Sequence, residues 1–212
     1  MHILTSKASL ANHFIAELRH KEVQQDPWRF RQNLERLGFS MALQMSASLP
    51  FDNVDIPTPL GSSSMQVCKH RVVLATILRA GLPFYEGFLK AFDKAESAFI
   101  GAFRNEESQG DLTIQMDYFA SPGLEGKVLI MTDPMLATGK SLVDSWKALL
   151  QYGRPARLFI ATAIASKPGL QYVQAQIPEA EIWAGDVDPE LDDKNYIVPG
   201  LGDAGDRLFG TI

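Results

Sequence analysis

The chain has 212 residues, 46% of them hydrophobic and 21% charged, which is the composition of a globular protein long enough to bury a large core. The net charge is −5, whereas a nucleic-acid binder usually carries a basic surplus, and no segment approaches the roughly 20 apolar residues of a membrane span. With one cysteine, Cys68, no intramolecular disulfide can form, and the N-terminus lacks the features of a signal peptide, so we expect a cytoplasmic protein without nucleic-acid or membrane partners.

Residues 1–65 are predicted to form a helical arm followed by a loop. Asp26-Pro27 is typical of a helix N-cap followed by proline at the first helical position, and residues 27–46 continue as one amphipathic helix. Residues 48–64 are rich in proline, serine and glycine, which predicts a loop.

From residue 71 onward, short apolar runs alternate with helical segments. Strands are predicted at 71–78, 97–103, 127–132, 157–165 and 181–185, and helices at 82–92, 139–153 and 168–176. Continuous apolar strands of this kind are typical of parallel sheets covered on both faces. The expected fold is therefore α/β: a single domain over residues 1–212, with an open parallel sheet at 71–185 and helices on both faces.

Polar residues follow three of these strands at the point where each strand ends. Arg79 follows the first strand, Arg104 the second and Asp133 the third. In such sheets, ligands bind beyond the carboxyl ends of the strands. Two arginines and a carboxylate at this edge indicate an anion site with a hydroxylated neighbour.

The stretch VLIMTDPMLATGKS (128–141) ends like a Walker A loop, which reads G-x-x-x-x-G-K-S/T. Counting back from Gly139 puts the first glycine of that pattern at position 134, which is occupied by Pro134. Proline donates no N–H and fixes φ near −65°, so it cannot serve as the flexible turn of a P-loop. No second apolar strand ends in an aspartate that would act as the Walker B partner. These two departures argue against a nucleotide-triphosphate site.

The same stretch can instead form a cup for another phosphate. Ala137, Thr138 and Gly139 are small, so a phosphate can approach the backbone, and the helix that follows offers free N–H groups and a favourable dipole. The hydroxyls of Thr138 and Ser141 add donors, and Asp133 is expected to face hydroxyl groups rather than the phosphate. A 5-phosphorylated ribose has this layout. An ordinary βα turn explains the stretch equally well.

Four motifs resemble those of one known family. TDPMLATGKS (132–141) resembles the 5-phosphoribosyl 1-diphosphate (PRPP) loop of type I phosphoribosyltransferases, in the form used by the uracil phosphoribosyltransferase family. ILRAGL (77–82), RNEES (104–108) and YIVPGLGDAGDRLFGT (196–211) resemble that family's other motifs, in the same order and at similar spacing. PTPLG (57–61) is a looser match.

The resemblance implies transfer of the phosphoribosyl group of PRPP to uracil, giving UMP and diphosphate in pyrimidine salvage. By this resemblance, Arg79 and Arg104 bind the diphosphate and Asp133 binds the ribose hydroxyls. Arg79, Arg104 and Asp203 are the expected catalytic residues. The 5-phosphate is expected against Pro134, Met135, Leu136, Ala137, Thr138, Gly139, Lys140 and Ser141. Uracil is expected in a C-terminal hood, residues 194–212, against Ile197, Gly202, Asp203 and Ala204, and Asp203 also faces PRPP.

The resemblance also implies partners. Mg²⁺ is expected to be carried by the diphosphate of the substrate and by water, without direct metal ligands from the protein. A homodimer or larger homo-oligomer is implied, and GTP is a candidate effector because it activates some members of the family.

The glycine-rich C-terminus is open to two interpretations. Main-chain groups of PGLGDAGD (199–206) suit the alternating carbonyl and N–H groups of uracil, and cytosine would leave buried groups unpaired at about 1–3 kcal/mol each. Considered without the resemblance, the segment is better explained as a turn in which Asp203 caps a short helix at 203–208.

The sequence departs from the family pattern at four points. Lys140 stands where the family usually has a second glycine, and Thr132 precedes Asp133, so an acidic pair seen in many other phosphoribosyltransferases is single here. The segment 105–121, expected to be a strand-turn-strand excursion that closes over the site, differs from the usual sequence, and the first seventy residues match poorly. A non-catalytic, nucleotide-sensing regulator on the same scaffold is therefore the alternative function.

Overall fold

The computed structural model describes residues 1–104 and 114–210, with side chains described for 1–101 and 118–210. The strands are β1 (His2–Ile3), β2 (Asp52–Thr58), β3 (Gly61–Val67), β4 (Val72–Leu78), β5 (Glu96–Arg104), β6 (Ile114–Ala120), β7 (Val128–Leu136), β8 (Arg157–Ser166), β9 (Glu181–Asp188), β10 (Glu190–Leu191) and β11 (Ile197–Val198). The α-helices are α1 (Leu10–Arg19), α2 (Pro27–Ser46), α3 (Leu82–Ala91), α4 (Lys140–Leu149), α5 (Lys167–Gln176) and α6 (Ala204–Phe209). Short 3₁₀ turns lie at Leu4–Ser6, Val23–Gln25 and Leu150–Tyr152.

A seven-stranded sheet in the order β1-β9-β8-β7-β4-β5-β6 forms the centre of the molecule. Its neighbouring strands are parallel except β6, which runs antiparallel to β5 at one edge. The prediction of an α/β fold with a mainly parallel sheet is confirmed. The segment predicted to return as a strand does so in β6, while residues 105–113 of that excursion lie outside the described residues.

The sheet is buried on both faces because its strands are apolar on both sides. Along β7, Val128 and Ile130 belong to the hydrophobic core on one face, and Leu129 and Met131 belong to the core on the other. This alternation follows from the two-residue period of a strand. Helices α2 and α3 cover the first face through side chains such as those of Phe30, Leu34, Phe84 and Phe88, and α4 and α5 cover the second through Leu142, Trp146, Leu170 and Val173.

The prediction of a loop at 48–64 was wrong, since this region forms the hairpin β2–β3. Asp52 pairs with Val67 and Thr58 pairs with Gly61, so Pro59 and Leu60 make the turn. Every residue of the two strands is exposed except Val54, which is half-buried. A hairpin without a buried face can carry serine and proline along its length, and those residues produced the loop prediction.

Two further boundaries differ from the sequence prediction. The strand predicted at 127–132 continues to Leu136, and the helix predicted at 139–153 is α4 followed by a 3₁₀ turn. Within the part of the chain that the structure describes, no helix is both long enough and apolar enough to cross a membrane.

Candidate functional site

A crevice opens between β4 and β7 at their carboxyl ends. The chain leaves β4 towards β5 on one side of the sheet and leaves β7 towards β8 on the other. The register between β4 and β7 ends at Thr76 and Thr132, whereas β7 stays paired with β8 as far as Leu136. Ligands of open α/β sheets bind at such a reversal of strand order. Asp133 lies at this crevice in β7, and Arg79 directly follows β4.

Two threonines at the base of the crevice tie the two strands together. The Thr132 hydroxyl donates to the carbonyl oxygen of Ala75 at 3.0 Å, and the Thr76 hydroxyl donates to the carbonyl oxygen of Thr132 at 3.3 Å. Both side chains are buried. A carboxylate at position 132 would be buried against a carbonyl oxygen, which is unfavourable for two acceptors. This packing explains in physical terms why Asp133 stands without an acidic neighbour at 132.

The helices that begin at the crevice differ from the others at their N-termini. In the described part of the chain, α1, α2, α5 and α6 are capped by the side chains of Ser9, Asp26, Ser166 and Asp203, respectively. Helices α3 and α4 follow Gly81 and Gly139, have no side-chain cap, and carry no acidic residue in the first turn. The N–H of Lys140, at the start of α4, donates to the Thr138 hydroxyl at 3.4 Å, and the N–H groups of the next residues have no side-chain cap, so they and the helix dipole favour an anion.

The turn between β7 and α4 is shaped by its contact with α5. The Ser166 hydroxyl donates to the carbonyl oxygen of Ala137 at 2.6 Å and accepts from the Gly169 N–H at 2.9 Å. Gly139 has φ of +77°, and a Cβ at this position would lie 2.6 Å from Cγ2 of Val173. Only a residue without a side chain fits both this backbone conformation and this space.

The P-loop interpretation fails on the structure as well as on the sequence. Pro134 is buried inside β7, between the register pairs Asp133–Thr162 and Met135–Ile164. Of the residues predicted to hold the 5-phosphate, Pro134, Met135 and Leu136 thus belong to the strand, and residues 137–141 form the turn and the start of α4. Lys140 is exposed, and its N–H lies 3.4 Å from the Thr138 hydroxyl.

The C-terminal segment brings its helix over the end of β4. The guanidinium carbon of Arg79 lies 5.4 Å from the ring centroid of Phe209 in α6, within the range of a cation–π contact. Asp203 accepts a hydrogen bond from the Asp206 N–H at 3.1 Å, so the prediction that it caps a short helix is confirmed. The hood and the arginine that follows β4 are therefore neighbours in space.

The other predicted residues of the site differ in accessibility. Ile197 and Ala204 are buried, whereas Gly202 is exposed and Asp203 is half-buried. Arg104 ends β5, next to β4 in the sheet, but its side chain lies outside the described residues. Among the residues that the structure describes, no group of three or more His, Cys, Asp or Glu side chains could hold a metal ion.

Sequence reasoning did not assign a role to Ser166, Thr76 or Thr132. Ser166 followed by Lys-Pro-Gly is a recognisable N-cap signal for α5, but nothing local indicates that its hydroxyl also holds Ala137. The two threonines lie within apolar runs that predict only strands.

Comparison with known proteins identifies the family of this chain. The sequence model of the family described as uracil phosphoribosyltransferase matches residues 5–211. Uracil phosphoribosyltransferase of Porphyromonas gingivalis is 45% identical over 208 residues, which cover 98% of this chain and 96% of the relative. The Thermococcus gammatolerans enzyme of the same name is 38% identical over 93% of this chain and 88% of its own length. The solved structure of the AQ2163 protein from Aquifex aeolicus superposes with a TM-score of 0.87 at 34% identity, covering 97% of this chain and 96% of that one. The resemblance seen in the motifs is thus confirmed over nearly the full length, and the chain belongs to the uracil phosphoribosyltransferase family.

Proposed function

We propose that this protein transfers the phosphoribosyl group of PRPP to uracil in the crevice between β4 and β7, giving UMP and diphosphate in the cytoplasm. The observation that carries the proposal is the uncapped start of α4, which lies at the same sheet edge as Asp133 and Arg79. An anion site, a carboxylate and a cation are the three groups that a ribose bearing phosphate and diphosphate requires. Family membership supports the same reaction.

The 5-phosphate is placed at residues 137–141. There the main-chain N–H groups at the start of α4 and the hydroxyls of Thr138 and Ser141 can donate to it. Asp133 accepts hydrogen bonds from the ribose hydroxyls, since a carboxylate is suited to hydroxyl donors and repels phosphate. The separation of these two groups along β7 and its turn sets the direction of the bound ribose.

The diphosphate is placed against Arg79 and Arg104. In the reaction, the bond from C1 of the ribose to the diphosphate oxygen breaks, a bond from C1 to N1 of uracil forms, and the proton of N1 passes to the departing diphosphate or to water. Positive charge develops on the ribose ring and negative charge on the leaving diphosphate, which the two guanidinium groups stabilise. Mg²⁺ would enter with the diphosphate as part of the substrate, held by phosphate oxygens and water, without direct ligands from the protein.

We place uracil under the hood, where Gly202 and Asp203 are accessible and Ile197 and Ala204 are buried close to them in the chain. Main-chain donors and acceptors can match the carbonyl and N–H groups along one edge of uracil. Cytosine presents an amine in place of one carbonyl, and each buried group left unpaired costs about 1–3 kcal/mol. Asp203 is also near PRPP in this arrangement, which makes it the third catalytic candidate beside Arg79 and Arg104.

We also propose that the protein acts as a homodimer. The hairpin β2–β3 is exposed along both strands, and Leu60 and Met65 are exposed apolar side chains on it. An isolated two-stranded hairpin is marginally stable in water. A second copy of the chain would cover it, and sedimentation equilibrium at micromolar concentration tests this by the measured mass. GTP as an effector is tested by adding it to the assay below.

One incubation separates the candidate functions. The protein is mixed with PRPP, Mg²⁺ and uracil, and the formation of UMP is followed by chromatography. UMP formed without ATP supports the transferase, whereas tight binding of nucleotide without turnover would support a regulator. A requirement for ATP would indicate a kinase, which the position of Pro134 inside β7 argues against.

A further inference from the structure

An ion-pair network joins the end of α1 to the end of β9. The guanidinium of Arg19 donates from Nη2 to Oδ2 of Asp186 at 2.8 Å and to Oδ1 of Asp188 at 2.8 Å. It also donates from Nη1 to Oδ2 of Asp188 at 2.8 Å. The pairing with Asp188 is therefore bidentate, which is the strongest arrangement of these two groups.

The same network binds both main-chain groups of Gly200, a residue of the hood. The N–H of Gly200 donates to Oδ2 of Asp188 at 3.0 Å, and the carbonyl oxygen of Gly200 accepts from Nη1 of Arg19 at 3.0 Å. Gly200 comes directly before residues 201–204, which contain main-chain groups proposed to bind uracil. Movement of Arg19 or Asp188 would consequently move this loop.

The charged groups of this network are largely buried, so the loss of one partner would leave another without a hydrogen bond. The side chain of Asp188 is 6% exposed and that of Arg19 is 20% exposed. Burial alone would lower the pKa of Arg19, but the hydrogen bonds that it donates to Asp188 and Asp186 raise the pKa above its ordinary value. The guanidinium therefore keeps its charge, and with it its donors to Asp188 and to the Gly200 carbonyl.

Two more polar contacts join the N-terminal helices to the hood. Nε of Arg207 donates to Oε1 of Gln24 at 2.6 Å, and Nη1 of Arg31 donates to the carbonyl oxygen of Leu208 at 2.7 Å. Gln24 is itself buried and donates to the carbonyl oxygen of Arg19 at 3.1 Å. Over its described residues, 194–210, the hood contains two short elements, β11 and α6, and the contacts with the N-terminal helices hold it against the rest of the molecule.

We propose that Arg19, acting through Asp188 and Gly200, is a positioning residue. It holds the base-binding loop, residues 201–204, in the position in which its main-chain groups can bind uracil. The inference rests on the proposed placement of uracil under the hood. Main-chain recognition of a planar base needs donors and acceptors held to within about 0.5 Å. A network that fixes both main-chain groups of Gly200 meets that need. An ion pair that only joined α1 to β9 would not require contacts with Gly200.

The test compares Arg19→Lys with a matched control. Lysine keeps the charge but cannot bridge Asp186, Asp188 and the Gly200 carbonyl at once. The control is Arg157→Lys. Arg157 also joins a carboxylate, that of Glu181 at 3.1 Å, to a main-chain carbonyl, that of Ser48, but it lies at the amino ends of β8 and β9, whereas Asp186 and Asp188 lie at the carboxyl end of β9. We expect Arg19→Lys to raise the KM for uracil between about tenfold and a hundredfold, with the KM for PRPP unchanged. Arg157→Lys should change neither constant.

A second readout does not depend on activity. Amide hydrogen exchange in a peptide spanning 199–209 should become faster in Arg19→Lys and stay unchanged in Arg157→Lys. If Arg19→Lys folds poorly, Asp186→Asn removes one contact of the network and should produce the same pattern to a smaller extent.

Three results would overturn the inference: equal changes in both KM values, the same changes in the control, or unchanged exchange at 199–209. A wild-type protein that forms no UMP would instead overturn the proposed function, and with it the link to uracil. The exchange experiment would then still decide whether Arg19 holds the loop.

Discussion

Replacing Gly139 by alanine tests whether the turn between β7 and α4 is the phosphate site. Gly139 has φ of +77°, which costs an alanine about 1–2 kcal/mol. The new Cβ would lie 2.6 Å from Cγ2 of Val173 and 3.0 Å from the carbonyl oxygen of Gly169, and overpacking of this kind costs about 1–3 kcal/mol. The total loss of about 2–5 kcal/mol is smaller than the stability of most domains, so the protein should still fold.

Gly126 offers a matched control at the other end of β7. Its φ is +71°, but a Cβ there would meet no atom within 4 Å. Gly126→Ala should therefore lose only the backbone term of about 1–2 kcal/mol. The difference between the two variants isolates the contact with α5 from the left-handed backbone conformation.

The assay combines urea unfolding with initial rates at varied PRPP. In Gly139→Ala, the displaced turn should raise the KM for PRPP by about tenfold or more, because misplaced donors lose their alignment with the phosphate. Gly126→Ala should keep wild-type kinetics. If both variants show the same KM for PRPP, the turn does not bind the 5-phosphate and the placement of the substrate is wrong.

Three further substitutions test individual residues of the site. Asp203→Asn keeps a capping oxygen for α6, so the unfolding midpoint should hold while kcat collapses; full activity would reduce Asp203 to a cap, a role whose outright loss costs about 1 kcal/mol. Arg104→Ala should lower turnover by about 10²–10³-fold because the leaving diphosphate loses a preorganised donor, and a near-normal rate would remove Arg104 from the mechanism. Lys140→Gly should raise the KM for PRPP with little change in kcat if the exposed ammonium reaches the phosphate, and an unchanged or lower KM would show that the lysine stays in solvent.

The sheet could be predicted from the sequence because its strands are apolar on both faces. Runs such as Val72–Leu78 have no other stable environment in a protein of this size, and their alternation with helices fixes a parallel sheet. The hairpin β2–β3 could not be predicted in this way. Its strands bury no face, so its sequence carries turn-forming residues and no sustained alternation that would indicate a strand.

The residues of the site could be predicted from the sequence where they lie at or directly after the end of a strand. Arg79 and Asp133 were located by the rule that ligands gather at the carboxyl ends of parallel strands. The role of Ser166 was hidden because its partner, Ala137, lies 29 residues away in the chain, and Arg19 lies 169 residues from Asp188. Contacts over such separations exist only once the chain has folded, and no local pattern reports them.

Residues that meet the substrate and residues that support them are constrained differently. A diphosphate or a ribose hydroxyl has fixed chemistry, so the positions of Arg79 and Asp133 accept few side chains. A support such as Arg19 or Asp188 needs only a partner within the protein that matches its charge and hydrogen bonds. The first seventy residues, which contain α1 and α2, were expected from their sequence to match the family poorly, yet the family model begins at residue 5 and these residues hold the hood through Arg19, Gln24 and Arg31. The N-terminal helices therefore take part in supporting the base-binding loop, and their place within the family match agrees with that role.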